Sequence, residues 1–100
     1  MGHEEADGAE VVDRPDRNRF ELVADGATAE LRYEIRGDEL ALVHTGVPDE
    51  LGGRGIGGRL VEAAIARAAR DGRDIVAECP FARDWIDRHP GALGTVRMAS

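Results

Sequence analysis

From Ala29 to Arg36 apolar and polar side chains alternate without a break, with Ala29, Leu31, Tyr33 and Ile35 on one side and Glu30, Arg32, Glu34 and Arg36 on the other. A period of two marks a strand with one buried and one wet face, as in an antiparallel sheet. Phe20 and Leu22 flank Glu21 in the same way, and Ala24-Asp25-Gly26 between the two runs is a turn signal. Gly37-Asp38 turns the chain again. Leu40 to Val47 is more uniformly apolar, as expected of a strand covered on both faces. Pro48 ends it, because proline has no N–H for the ladder. The period then changes. Val61, Ala64, Ile65 and Ala68 recur at helical spacing and predict a helix from about Gly55 to Arg70, closed by Asp71-Gly72. Ile75 to Cys79 reads as a short buried strand. Pro80 suits the first turn of a second helix, with Phe81, Trp85 and Ile86 read as its core side and His89-Pro90 as its stop.

The order is β-β-β-α-β-α, an α+β class in which an antiparallel meander leads into one parallel β-α-β unit. Residues 1–18 are polar and charged and read as a flexible arm with room for an edge strand near its end. Residues 19–91 form the single domain, and 92–100 read as a loosely held tail.

Composition narrows the function. The net charge is -7, which argues against nucleic acid as a partner. No apolar run approaches the roughly 18 residues of a membrane helix. Met1-Gly2-His3-Glu4-Glu5 is acidic with no apolar stretch behind it, so a cytoplasmic location is expected. All 13 basic side chains are arginine, so the protein has no lysine on which to acylate itself. Cys79 is the sole cysteine and cannot form an internal disulfide.

Gly52-Gly53-Arg54-Gly55-Ile56-Gly57-Gly58 places five glycines in seven residues at a helix start. Each costs about 1 kcal/mol against alanine inside a helix, so something must offset them. Glycines let a backbone approach a bulky ligand closely. The first helical turn leaves N–H groups unpaired at the positive end of the dipole, which suits a pyrophosphate. Arg54 and Arg59 can add bidentate contacts. A nucleoside-triphosphate loop needs Gly-Lys-Ser/Thr, and the chain has no lysine. The loop of the dinucleotide-binding fold follows the first strand of a parallel sheet, whereas this one follows a meander.

Val47-Pro48 followed by Gly52-Gly53-Arg54-Gly55-Ile56-Gly57-Gly58-Arg59-Leu60-Val61 resembles the acetyl-CoA loop of the GNAT N-acetyltransferases. Their signature is Gln/Arg-x-x-Gly-x-Gly/Ala at the start of the central helix. Gly55 and Gly57 match the two small positions. Gly52 stands where Gln or Arg is usual, and Arg54, next but one, is the substitute this implies. Leu42-Val43-His44-Thr45-Gly46-Val47-Pro48, Cys79-Pro80-Phe81 and Arg88-His89-Pro90 are similar to segments of the short stand-alone branch of that superfamily, the N-acetyltransferase-domain-containing proteins. The resemblance covers residues 18–91. It implies coenzyme A bound where the third and fourth predicted strands part, with the Val47 backbone holding the pantetheine as an added strand. Gly53, Arg54, Gly55, Ile56, Gly57, Gly58 and Arg59 would then hold the pyrophosphate. No metal site is predicted.

Acyl transfer needs a nucleophile, a base and stabilisation of the oxyanion. Cys79, before Pro80 and at or near a helix N-cap, is a candidate nucleophile whose location favours the thiolate. His44 on the neighbouring strand is the candidate base, for Cys79 or for an amine attacking directly. Tyr33, the only tyrosine, lies outside the family pattern for the acid that protonates the leaving thiolate. The expected activity is transfer of acetyl from acetyl-CoA to a primary amine of a small molecule or protein. The alternative is a non-catalytic CoA-binding module or partner subunit.

Overall fold

A computed structural model describes residues 10–99. The strands are β1 (Val12–Arg14), β2 (Arg19–Ala24), β3 (Ala27–Arg36), β4 (Glu39–Gly46) and β5 (Asp74–Ala77), and the helices are α1 (Ile56–Asp71) and α2 (Pro80–Arg88). The strands form one sheet in the order β1-β2-β3-β4-β5. Pairing is antiparallel from β1 to β4 and parallel between β4 and β5. This is the expected α+β architecture of a meander leading into a β-α-β unit. Asp25 and Gly26 join β2 to β3 with φ of 53° and 78°. Positive φ at both central residues is the turn whose twist matches a two-residue hairpin.

The helices cover one face of the sheet. Leu60, Val61, Ala64, Ile65 and Ala68 are the buried stripe of α1. They pack in one core with Leu22, Leu31, Tyr33, Leu42 and Ile75 from the sheet. Gly72, with φ 70°, ends α1 and returns its N–H to the carbonyls of Ala68 and Ala69.

The edge strand that the sequence allowed near the end of the arm is present as β1, and the tail differs from the sequence reading. The first nine residues of the expected flexible arm lie outside the described residues. Its last part is held: β1 pairs with β2. Tyr33, only 2% exposed, donates its hydroxyl to Asp13 Oδ1 at 2.7 Å and accepts from Arg67 Nη1 at 2.7 Å. Arg67 also reaches Asp13 Oδ2 at 2.6 Å. A buried hydroxyl needs a partner, and β1 supplies it. The expected loose tail is also held up to Ala99. Val96 is buried, the Ile75 N–H donates to Arg97 O at 2.9 Å, and the Ala99 N–H donates to Ile75 O at 2.8 Å. The outer edge of β5 would otherwise show unpaired backbone groups. Among the described residues no helix is long and apolar enough to cross a membrane.

Asp71, at the end of α1, receives Arg67 at 2.9 Å, Arg70 at 3.0 Å and Arg73 at 3.1 Å. Hydrogen bonds from Arg70 and Arg67 hold its carboxyl down at about 2 against an ordinary 3.8. A folded-state value below the unfolded one stabilises the fold at higher pH and is lost on acidification. The urea midpoint should therefore fall as pH drops from 3.8 toward 2. Asp71→Asn should be less stable above that window and lose this part of the slope.

Candidate active site

The site is built where β4 leaves its neighbours. On the β3 side, Tyr33 pairs with Leu42 but Arg32 pairs with His44, so Val43 is an extra, bulged residue. On the β5 side, pairing stops at Leu42 with Ala77. The N–H groups of Glu78 and Cys79 both donate to Leu42 O, at 3.0 and 2.9 Å. Beyond that point, among the described residues, β4 has no strand partner on its β5 side. The two parallel strands part, and Val47 lies just past the end of β4, half-buried against the core.

From Val47 the chain bends through Pro48 into a single 3₁₀ turn, Asp49–Leu51, anchored by the fully buried Leu51. The glycine turn follows. Gly53 and Gly55 are left-handed, at φ 78° and 72°, and a Cβ on either would meet open space. Gly55 is the N-cap of α1, and no side chain among the described residues caps the helix. The N–H groups of its first turn thus face outward without intrahelical partners.

Gly57 and Gly58 have a different role. A Cβ on Gly57 would lie 2.5 Å from Phe81 Cζ, and one on Gly58 would overlap Trp85 Nε1. The absent side chains let α2 dock its aromatic rings directly on the first turn of α1. The two glycines are therefore required by helix packing, whatever else they serve. Phe81 is not the core residue the sequence suggested, while Trp85 is partly buried against the core. The buried stripe of α2 is Ala82 and Ile86, four residues apart on one face, and this leaves Phe81 44% exposed. With Val47, Leu51, Ile56 and the glycines, the two rings line a mostly apolar groove of about 320 Å³. His89 stacks on Trp85, with ring centroids 4.3 Å apart, and its Nδ1 lies 2.8 Å from Trp85 O.

Cys79 is the N-cap of α2 and is 4% exposed. Its Sγ lies 3.2 Å from Thr45 Oγ1, with either atom able to donate. Burial pushes the thiol up, but the Thr45 hydroxyl and backbone groups of Ala82 and Phe81 outweigh it, and the net is a lowered value. The structure does not pair Cys79 with His44. The bulge at Val43 shifts the alternation, so Thr45, opposite the buried Leu31, takes the inward place and His44 is exposed beside Arg32 on the open face. Thr45 was missed because an unbroken period of two from Leu40 and Leu42 puts His44 inward. A lone bulge leaves no clear mark in the sequence.

Arg54 is exposed. It pairs with Asp25 at 2.8 Å and reaches Glu50 O at 3.5 Å. Arg59 is half-buried in the first turn of α1, and Ile56 at its first position is buried. The structure thus gathers Val47, Gly53, Gly55, Ile56, Gly57 and Gly58 on one groove, with Cys79 beyond it at the start of α2 and His44 on the other face.

The parallel pair thus opens beside an uncapped helix N-terminus. Residues 19–94 match the family model of the GCN5-related N-acetyl-transferases. A solved structure from Staphylococcus aureus, that of a GCN5-like protein taken to be an N-acetyltransferase, is 29% identical, covers 92% of this chain and 91% of its own, and superposes with a TM-score of 0.71. No curated protein matches the chain. The chain belongs to the GCN5-related N-acetyltransferase family, and acyl transfer is its class of reaction.

Two outcomes check this geometry. Gly57→Ala should destabilise the fold by about 1–3 kcal/mol through overpacking, and most of the loss should vanish when Phe81→Ala is added; urea unfolding measures both. Thr45→Val should raise the Cys79 thiol titration, read by ultraviolet thiolate absorbance against pH.

Proposed function

We propose that the protein transfers acetyl from acetyl-CoA to a primary amine, on a small molecule or a protein. The observation that carries this reading is the uncapped first turn of α1, set behind two left-handed glycines beside the point where β4 parts from β5. These residues fit the cofactor: donors for a diphosphate, open space over Gly53 and Gly55, and an unpaired strand edge running to Val47. Acetyl-CoA, when bound, would supply the acyl thioester, and free CoA would leave as the thiol. Ile56, Gly57 and Gly58 would hold its diphosphate through their N–H groups, with Arg59 on the same turn. Arg54 would add its charge by exchanging Asp25 for a phosphate. The groove floor of Phe81 and Trp85 excludes water from the apolar part of the arm.

Cys79 is the side chain able to hold an acyl group, since Thr45 and the start of α2 favour its thiolate. His44, exposed on the open face, would take a proton from an amine arriving on that side. A second reading, a CoA-binding module without turnover, is favoured by one observation. Tyr33 is buried and committed to Asp13 and Arg67, so the only tyrosine is not available as an acid at the groove.

Intact mass after incubation with acetyl-CoA, together with free CoA release across an amine panel, separates the readings. A 1:1 acetyl adduct lost in Cys79→Ser supports the covalent route, and binding without turnover supports the module. Gly53→Asp is the test of the cradle. Aspartate tolerates the left-handed region better than most residues, and its side chain enters open space. CoA affinity should fall about tenfold or more with little change in urea midpoint, while Gly53→Asn, without the charge, should lose much less. Unchanged affinity in Gly53→Asp would exclude this diphosphate site.

A further inference from the structure

The open face of the sheet, opposite the helices, carries an unusual row. Arg19 on β2 is the direct partner of Arg32 on β3, and Arg32 is the direct partner of His44 on β4. The adjacent row places Glu21 directly against Glu30. Like charges set opposite each other across strands repel, so each row needs the other. Glu21, only 6% exposed, takes Arg14 at 3.3 Å, Arg17 at 3.3 Å and Arg19. Glu30 takes Arg19 at 2.9 Å and Arg32 at 3.4 Å. Among the described residues, four guanidiniums thus share two carboxylates, with Asp16 reaching Arg17 only at 4.0 Å. In a chain of net charge -7 this is a local excess of positive charge.

The excess surrounds a cavity. Arg17, Asn18, Arg19, Arg32, Glu34 and Val43 line a hollow of about 440 Å³. Asn18 is left-handed at φ 53° and accepts the Tyr33 N–H at 2.9 Å, which fixes the turn that sets Arg17 beside Arg19. Glu34, the acid on the rim, is engaged by Arg36 at 3.0 and 2.8 Å. A guanidinium has five donors, and the two carboxylate contacts of Arg19 and the one of Arg32 do not use them all. The carboxylates Glu21 and Glu30 hold Arg19 and Arg32 in place, so these side chains lose little freedom on meeting an anion. Val43, on the rim, is the bulged residue, and Thr45, two residues on or about 7 Å along the strand, touches Cys79.

We infer that this arginine hollow is an anion subsite for the acceptor, so that the substrate is a small amine that also carries a carboxylate or phosphate. The inference rests on the acetyl-transfer reading above and names the substrate class for it. An anion seated on Arg19 and Arg32 lies one strand spacing, about 5 Å, from the row position of His44. The amine of a compact zwitterion then falls beside that imidazole and next to the opening of the strands. The open face receives the acceptor while the groove on α1 receives the donor.

The test has two arms. In the first, backbone amide shifts of the whole chain are followed during titration with inorganic phosphate at constant ionic strength, chloride being the control. Saturable shifts at Arg17–Arg19, Arg32 and His44 are expected, with affinity about tenfold weaker in Arg32→Gln, the scale of one charge-assisted contact. Arg19→Gln serves as the second variant, and circular dichroism checks that both fold. In the second arm, acetyl transfer is compared within matched pairs, serine against ethanolamine and tyrosine against tyramine. The carboxylated member should have a kcat/KM about tenfold higher, and Arg32→Gln should shrink that ratio toward one. Equal rates within each pair, or phosphate shifts that never saturate at these residues, overturn the subsite and leave the acetyl-transfer reading intact. Saturable phosphate binding with no transfer to any amine keeps the subsite and sinks the activity.

Discussion

Between Leu42 and His44, β4 carries a residue that β3 does not match, and the rest of the site follows from that insertion. Before the bulge, Leu42 faces the helices; after it, Thr45 does. A bulge also bends its strand and strengthens the local twist. The bend comes where β5 stops pairing and the chain enters α2, with Leu42 O taking two N–H donors as the last tie between the strands. The opening between parallel strands is thus a backbone property. It is held by hydrogen bonds that no side-chain substitution on the groove removes.

The glycine turn meets two demands at once. Gly53 and Gly55 take left-handed conformations that other residues adopt at a cost. Gly57 and Gly58 leave room for Phe81 and Trp85. The first pair shapes the approach to the helix N-terminus, and the second sets the distance between α1 and α2. Because both pairs sit in one short stretch, the aromatic wall of the groove and the unpaired N–H groups are fixed relative to each other. A protein of this size has few long-range contacts to spare for placing a site, and packing a helix directly on the ligand-facing turn is an economical way to do it.

The sheet separates two environments. Its covered face holds the apolar core and, at one edge, the buried hydroxyl of Tyr33 with Asp13 and Arg67. Its open face is a lattice of arginines and acids in which Glu21 is buried by its own partners. Burial pushes the Glu21 carboxyl up, yet hydrogen bonds from Arg19 and Arg14 leave it below its usual value. That carboxylate keeps the guanidiniums around it in fixed positions. A cationic surface is thereby maintained on an acidic chain.

Much of this was legible in the sequence. Alternation from Ala29 to Arg36, the stripe Val61-Ala64-Ile65-Ala68 and the turn residues Asp25-Gly26 and Gly72 report local backbone preference and a single buried face, and these are set within a few residues of chain. The glycine-rich helix start could be read for the same reason. Three features could not. Val43 bulges against β3 just beyond the last residue that β5 pairs, and neither pairing is written in residues 40–47. Phe81 turns from core to groove because Ala82 and Ile86 fill the space under α2. Val96 and Met98 return to β5 because its outer edge has no other partner. Periodicity fixes which side chains share a face of one element. Which face meets the core, and where a strand slips by one residue, depends on neighbours far away in the chain and is decided only when they pack.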